Sequence, residues 1–176
     1  MKNKLNQKIK TTVFLFHPDI KSSKVNYALK SGTGGDIVVR DIYALYPDER
    51  INIREEQKHL NQSDRIVFQF PIYWYSSPAL LKKWEDQVLE HGWAYESHGN
   101  ALAGKELLIA ATFGSTSYGV GKETKYTYDE LLYPYHALAD YVGMNYMNPF
   151  ILSRTIGIRG AKLREKVKEY YDYLHS

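Results

Sequence analysis

Cysteine is absent from the 176 residues. That one absence removes disulfides, thiolate metal sites, a cysteine nucleophile and thiol redox chemistry, so electron transfer would have to run through a bound cofactor. No metal centre is expected. Apolar runs long enough to cross a bilayer, roughly 20 residues, are also missing, and membrane insertion is not expected. The opening decapeptide MKNKLNQKIK is basic but lacks the apolar centre and small-residue cleavage site of a secretory signal. It reads as a loose N-terminal extension, residues 1–10, ahead of one domain over 11–176. Charge of one sign is scarce as well: 23 basic and 20 acidic residues leave a net charge of +3. No Lys/Arg cluster interleaves with base-stacking aromatics, which argues against nucleic acid as a partner. The balance suits a cytoplasmic globular protein.

Tyrosine, by contrast, is abundant, with 16 copies in an aromatic share of 14%. Its ring is apolar and its tip polar, which suits pockets and interfaces. Three aromatics stand side by side in QFPIYWYSSPALLKKWED, residues 69–86, where an apolar strand gives way to a helix beginning at Pro78. Either they fill a core under a loop or they form a platform for a flat ligand.

Along the chain, short apolar runs alternate with helical periodicity. Thr11–Phe16, Asp36–Tyr43, Arg65–Phe70, Glu106–Phe113 and the segment MNPFIL read as strands. Helices are predicted after Ser22-Ser23, where Val25, Ala28 and Leu29 share a face closed by Gly32. Others follow over Leu80 to Val88 and over Leu131 to Val142, the latter kinked or restarted at Pro134, which has no N–H to give. A last one carries Leu163, Val167, Tyr170 and Leu174 on one face, and IREEQKHLNQSD reads as a polar surface helix. Strands alternating with helices predict a doubly wound α/β domain with a parallel sheet covered on both faces. Ligands of such sheets bind outside the carboxyl ends of the strands, where HPDIKSSKVN, PIYWYSSP and TFGSTSYGVG should converge.

In the first of these loops Ser22, Ser23, Lys24 and Asn26 lie at a helix N-terminus, whose free N–H groups and dipole favour a phosphate, with His17 as a further donor. The plainer reading makes Ser23 an N-cap and His17 a polar strand end. In the second, Tyr73, Trp74 and Tyr75 offer ring faces. In the third, backbone N–H groups of Phe113, Gly114 and Ser115 can approach the edge of a heterocycle. A phosphate seat, an aromatic wall and a donor-lined cradle together suit a flavin.

The blocks HPDIKSSKVN, DIYALYPD, IVFQFPIYWYSSPALLKKWEDQVLEHGWAY, ALAGKELLIAATFGS and LLYPYHALADYVGMNYMNPF resemble, in order from about residue 12 to 152, the flavodoxin-like NAD(P)H:quinone oxidoreductase family. The likeness is to its small bacterial branch of general stress oxidoreductases and ancillary flavoproteins of potassium efflux systems. It implies a five-stranded parallel sheet of order 2-1-3-4-5 with helices on both faces, bound FMN or FAD, NADH or NADPH as donor, and a quinone-like acceptor. It also implies a homodimer, with peripheral association with a membrane transporter as the alternative role. Carried over, His17, Ser23 and Asn26, with the intervening Lys24 and Val25, fall on the phosphate and ribityl side. Ile72 to Tyr75, preceded by Pro71, fall against the flavin ring, with Trp74 at the stacking position. Thr112 to Ser115 match a cradle usually written Thr-Thr-Gly-Gly, with Phe113 and Ser115 as departures. Tyr118 is the candidate for the substrate-side catalytic group.

Overall fold

The computed structural model describes residues 8–114, 118–119, 121–122 and 124–176. Strands β1 (Thr11–Leu15), β3 (Arg65–Pro71) and β4 (Glu106–Thr112) form the middle of a parallel sheet. Their nearly unbroken apolar runs are what strands covered on both faces require. β2 (Val38–Asp41) pairs with β1, and the order is β2-β1-β3-β4-β5, the flavodoxin-like arrangement expected. Neighbouring strands are in register at Val13↔Val67 and Val67↔Leu108. The two-residue period sends Phe14, Phe16, Phe68, Phe70, Ile109 and Phe113 into one core and Val13, Val67, Leu108 and Ala110 into the other.

Helices α4 (Ala79–Val88) and α5 (Tyr128–Val142) supply the first core with Trp84, Leu132, Tyr135 and Ala139. Helices α1 (Lys24–Ser31) and α6 (Gly160–Leu174) supply the second with Val25, Leu29, Tyr170 and Leu174. α5 begins with a capping box, Thr127 with Glu130, and ends at Gly143, whose φ of 74° is the left-handed conformation that closes a helix.

The sequence reading needs correction in three places. The second strand is shorter than Asp36–Tyr43, because Asp41 turns to cap a short helix α2 (Ile42–Leu45), its Oδ1 accepting from Ala44 N at 3.3 Å. Only the second half of MNPFIL is strand, β6 (Phe150–Leu152), which begins after Pro149; a two-residue strand β5 (Asn145–Tyr146) precedes the segment, and both pair with β4 in parallel. α5 does not restart at Pro134 but runs through it.

Helix α3 (Ile53–Gln62) forms as predicted, yet its inner face buries Glu56, Gln57 and Leu60. Glu56 is fully buried and collects donors from three directions. Arg40 reaches it through Nε at 3.2 Å and through Nη2, Tyr46 donates its hydroxyl, and Trp84 Nε1 donates at 3.2 Å. Burial and the Glu56 acceptor push Tyr46 up to about 12, so it remains a donor. The cluster ties β2, α3 and α4 together. Removing one partner of a buried ion pair strands the other charge, so Glu56→Ala should lower unfolding free energy by about 3–5 kcal/mol in urea titration.

Candidate active site

A cleft of about 410 Å³ opens at the carboxyl ends of the strands, where the loops after β1, β3 and β4 meet. Among the described residues no acidic side chain lines it, whereas Lys24 and Arg159 both do. The cleft therefore favours an anion.

Its floor on the α1 side is built from a short polar stretch. Ser23 is the N-cap of α1, its Oγ accepting from Asn26 N at 3.2 Å. The plainer capping reading is thus true, and it coexists with a place in the cleft wall. The N–H groups of Lys24 and Val25 have no intrahelical acceptor in the first turn. His17 is 6% exposed, and its Nδ1 accepts from Asp19 N at 3.1 Å. That contact places the proton on Nε2, and burial lowers the pKa, so the ring is held neutral with Nε2–H as its donor.

Asn26 is largely committed inside the protein. Its Nδ2 donates to Ser23 Oγ at 3.3 Å and to Thr112 Oγ1 at 3.0 Å. Gln69 Nε2 donates to its main-chain oxygen at 3.2 Å and to its Oδ1 at 3.4 Å. Tyr170 of α6 donates to Gln69 Oε1 at 3.1 Å. Asn26 therefore sets the positions of Ser23 and Thr112 while presenting an edge to the cleft.

The aromatic segment is a tight turn. Tyr73 and Ser76 exchange both backbone bonds, at 2.8 and 3.0 Å, and the two residues between them, Trp74 and Tyr75, have φ of 49° and 63°. Positive φ at both central positions is the primed hairpin geometry that Asn and Gly usually fill. Bulky side chains there cost roughly 1–2 kcal/mol each. Trp74 is 94% exposed and Tyr75 52%, so they are not core filler. Pro71, Ile72 and Tyr73 line the cleft directly, and the Trp74–Tyr75 tip, adjoining them in sequence, is outside its lining.

The third loop departs from expectation. Thr112 and Gly114 line the cleft, but the Phe113 ring is fully buried, its N–H donates to Leu152 O at 2.9 Å, and its carbonyl accepts from Thr155 N and Oγ1, both at 3.1 Å. Phe113 therefore has no backbone donor to spare for a ligand. Gly114 remains in the cleft lining, and Ser115 lies outside the described residues. Tyr118 packs against Phe113 and Tyr128, at ring-centroid distances of 5.0 and 4.9 Å, and is not among the residues lining the cleft. Burial raises its pKa, so it is protonated at neutral pH.

One wall was missed altogether. Thr155, Ile156, Gly157, Ile158 and Arg159, between β6 and α6, also line the cleft. A Cβ on Gly114 would come within 3.3 Å of Ile156 Cδ1, so the glycine leaves room for this wall. The available signal was positional, since the loop after the fifth strand also lies at the carboxyl edge.

Comparison with known proteins places these residues in context. A family described as having the flavodoxin-like fold matches residues 10–174. General stress protein 14 of Bacillus subtilis is 47% identical over 147 residues, covering 81% of this chain and 84% of its own. The uncharacterised NAD(P)H oxidoreductase YrkL of the same organism is 42% identical over 170 residues, covering 94% of this chain and 98% of its own. The crystal structure of general stress protein 14 from Treponema denticola in complex with FMN is 32% identical, with a TM-score of 0.86 over 94% of this chain and 97% of that one.

His17 supplies a test of the site as described. Its lowered pKa means that the unfolded chain takes up a proton more readily than the folded one, so stability present above the unfolded value of about 6.5 is lost as pH falls below it and through the lower folded value. An NMR titration should place the His17 midpoint below 6.5, and His17→Gln should flatten the acid limb of the stability curve in that range.

Proposed function

Because the chain belongs to the family with the flavodoxin-like fold, we propose that it is a flavin-dependent NAD(P)H oxidoreductase that reduces quinones or similar acceptors by two electrons at a time. The observation that carries this reading is the pairing, at one sheet edge, of a cleft that bears Lys24 and Arg159 and no acidic group among the described residues with an outward aromatic turn. A flavin mononucleotide has the matching form, an anionic phosphate at one end and a flat ring at the other. The FMN complex of a 32% identical relative and the NAD(P)H oxidoreductase name of a 42% identical one support the same choice of FMN and nicotinamide donor.

The flavin, when bound, supplies the hydride chemistry. The protein supplies position and field. Ser23 Oγ, the free N–H groups of Lys24 and Val25, and the neutral His17 Nε2–H would hold the phosphate, with Lys24 and Arg159 balancing its charge. Ile72 and Tyr73 would line one side of the ring and Gly114 would give it a backbone N–H. Trp74 and Tyr75 would bound the space above the ring, where donor and acceptor stack in turn and water is kept out. Tyr118 sits behind Phe113 and acts in this reading as packing for the third loop rather than as a proton donor.

We also take the protein to be a homodimer. The exposed Trp74–Tyr75 turn, with Tyr126, Tyr133 and Tyr141 between 60% and 66% exposed, leaves more aromatic surface than a small monomer usually carries.

Two measurements test the proposal. Ser23→Ala should weaken FMN binding to the apoprotein by about 1.5–3 kcal/mol in fluorescence titration, as loss of a hydrogen bond to a charged group requires; an unchanged affinity leaves Ser23 as a helix cap alone. If donor and acceptor share one space under Trp74, initial rates with both varied should give parallel lines, and Trp74→Ala should lower the turnover rate. Intersecting lines would mean that both bind together.

A further inference from the structure

Two hydroxyl groups in the cleft wall have their hydrogen-bonding roles dictated from inside the protein. Ser23 and Thr112 both line the cleft, and both accept from the same nitrogen, Asn26 Nδ2, at 3.3 and 3.0 Å. Ser23 Oγ also accepts from Asn26 N at 3.2 Å, which uses its second lone pair. Each hydroxyl therefore has its hydrogen left to give. Among the described residues neither gives it to a protein acceptor.

Gln69 is what turns the nitrogen of Asn26, and not its oxygen, toward these hydroxyls. A side-chain amide can be reversed end for end, but a main-chain carbonyl cannot, and the main-chain oxygen of Asn26 accepts from Gln69 Nε2 at 3.2 Å. That fixed acceptor sets the direction of the Gln69 amide. The same nitrogen lies 3.4 Å from Asn26 Oδ1, so a reversed Asn26 would bring two nitrogens together that can only donate. The other end of Gln69, Oε1, takes the Tyr170 hydroxyl at 3.1 Å. All three side chains are buried, which leaves bulk solvent no part in setting their directions. With Asn26 reversed, both hydroxyls would donate inward to its oxygen and present lone pairs to the cleft, which repel an anion.

We propose that Gln69, which is outside the cleft lining, is the positioning residue of the phosphate seat: through Asn26 it makes the Ser23 and Thr112 hydroxyls obligate donors to an anionic oxygen. This rests on the flavin reading above and gives it a selectivity, for a flavin that carries a phosphate over one that does not. The two hydroxyls flank one nitrogen and so act on the same part of the ligand. Hydrogen bonds to a charged acceptor are stronger than those to a neutral one, so fixed donors here favour the phosphate more than any other part of a flavin. Tyr170 plays a different part. The Asn26 carbonyl alone decides which way Gln69 faces, so loss of the Tyr170 hydroxyl weakens the network without reversing it.

Fluorescence titration of the apoprotein with FMN and with riboflavin, which lacks only the phosphate, tests this, with thermal unfolding as the check that each variant is folded. Gln69→Met removes the amide without adding charge; it should lower FMN affinity at least about tenfold, as loss of hydrogen bonds to a charged group implies, and riboflavin affinity by less than about threefold. Tyr170→Phe should keep the wild-type preference for FMN. Thr112→Val should reduce that preference and Thr112→Ser restore it, and this pair carries the test if Gln69→Met does not fold. A general loosening of the cleft would weaken both flavins alike. A parallel loss of FMN and riboflavin in Gln69→Met or Thr112→Val, an unchanged preference in either, or a Tyr170→Phe that loses the preference as fully as Gln69→Met, overturns the inference and leaves flavin binding intact. A wild type that binds neither flavin overturns the oxidoreductase reading and this inference with it.

Discussion

The geometry of the cleft depends on the side-chain amide of Gln69. It is fully buried at the carboxyl end of β3, where a residue of either charge would lack a counterion and an apolar residue would leave its neighbours unpaired. An amide gives and accepts at once. Its nitrogen holds Asn26 in α1 and its oxygen takes the hydroxyl of Tyr170 in α6, while Asn26 in turn donates to Thr112 at the end of β4. Two strands and two helices are thus locked at the point where the cleft begins. A buried network of this kind holds only when every member is satisfied, because a lost partner exposes the desolvation cost of the group left behind.

That rigidity lets the protein tolerate strain beside it. Trp74 and Tyr75 occupy left-handed backbone conformations at roughly 1–2 kcal/mol each, a sizeable part of the ~5–15 kcal/mol by which domains are stable. Their exposure shows that packing of these two side chains within the single chain does not offset this. The offset comes from the fixed ends of the turn, Tyr73 and Ser76, whose paired backbone bonds continue from β3. Strain at such a position is characteristic of a segment placed for contact with something else.

The central sheet was legible because strands buried on both faces read as continuous apolar runs, and this property belongs to the segment alone. What failed was whatever a distant partner decides. Asp41 looked like a strand residue until its role as the cap of α2 shortened β2. Glu56 and Gln57 made α3 look like a surface helix, since nothing nearby in sequence announces Arg40 and Trp84 as partners of Glu56 or the Val88 carbonyl as that of Gln57. In the site, His17, Ser23 and Tyr73 were found from local chemistry at a strand end. The Phe113 N–H was misassigned because its acceptor, Leu152, lies on β6, distant in sequence, and the Thr155–Arg159 wall, which follows β6, was missed for want of any local signal.

The two ends of the cleft make opposite demands on whatever enters. At the α1 end the donors are neutral or cationic, and the helix dipole adds to them, so negative charge is stabilised there and positive charge is repelled. At the end bounded by Ile72, Tyr73 and Ile156 there is little to pair with a charge, and desolvation would penalise one. A ligand with its charge in the middle, or at both ends, satisfies neither region. Polarity alone thus favours an occupant with its anionic part against α1 and its apolar part toward Ile72 and Tyr73. This orientation follows before any contact specific to a flavin is considered.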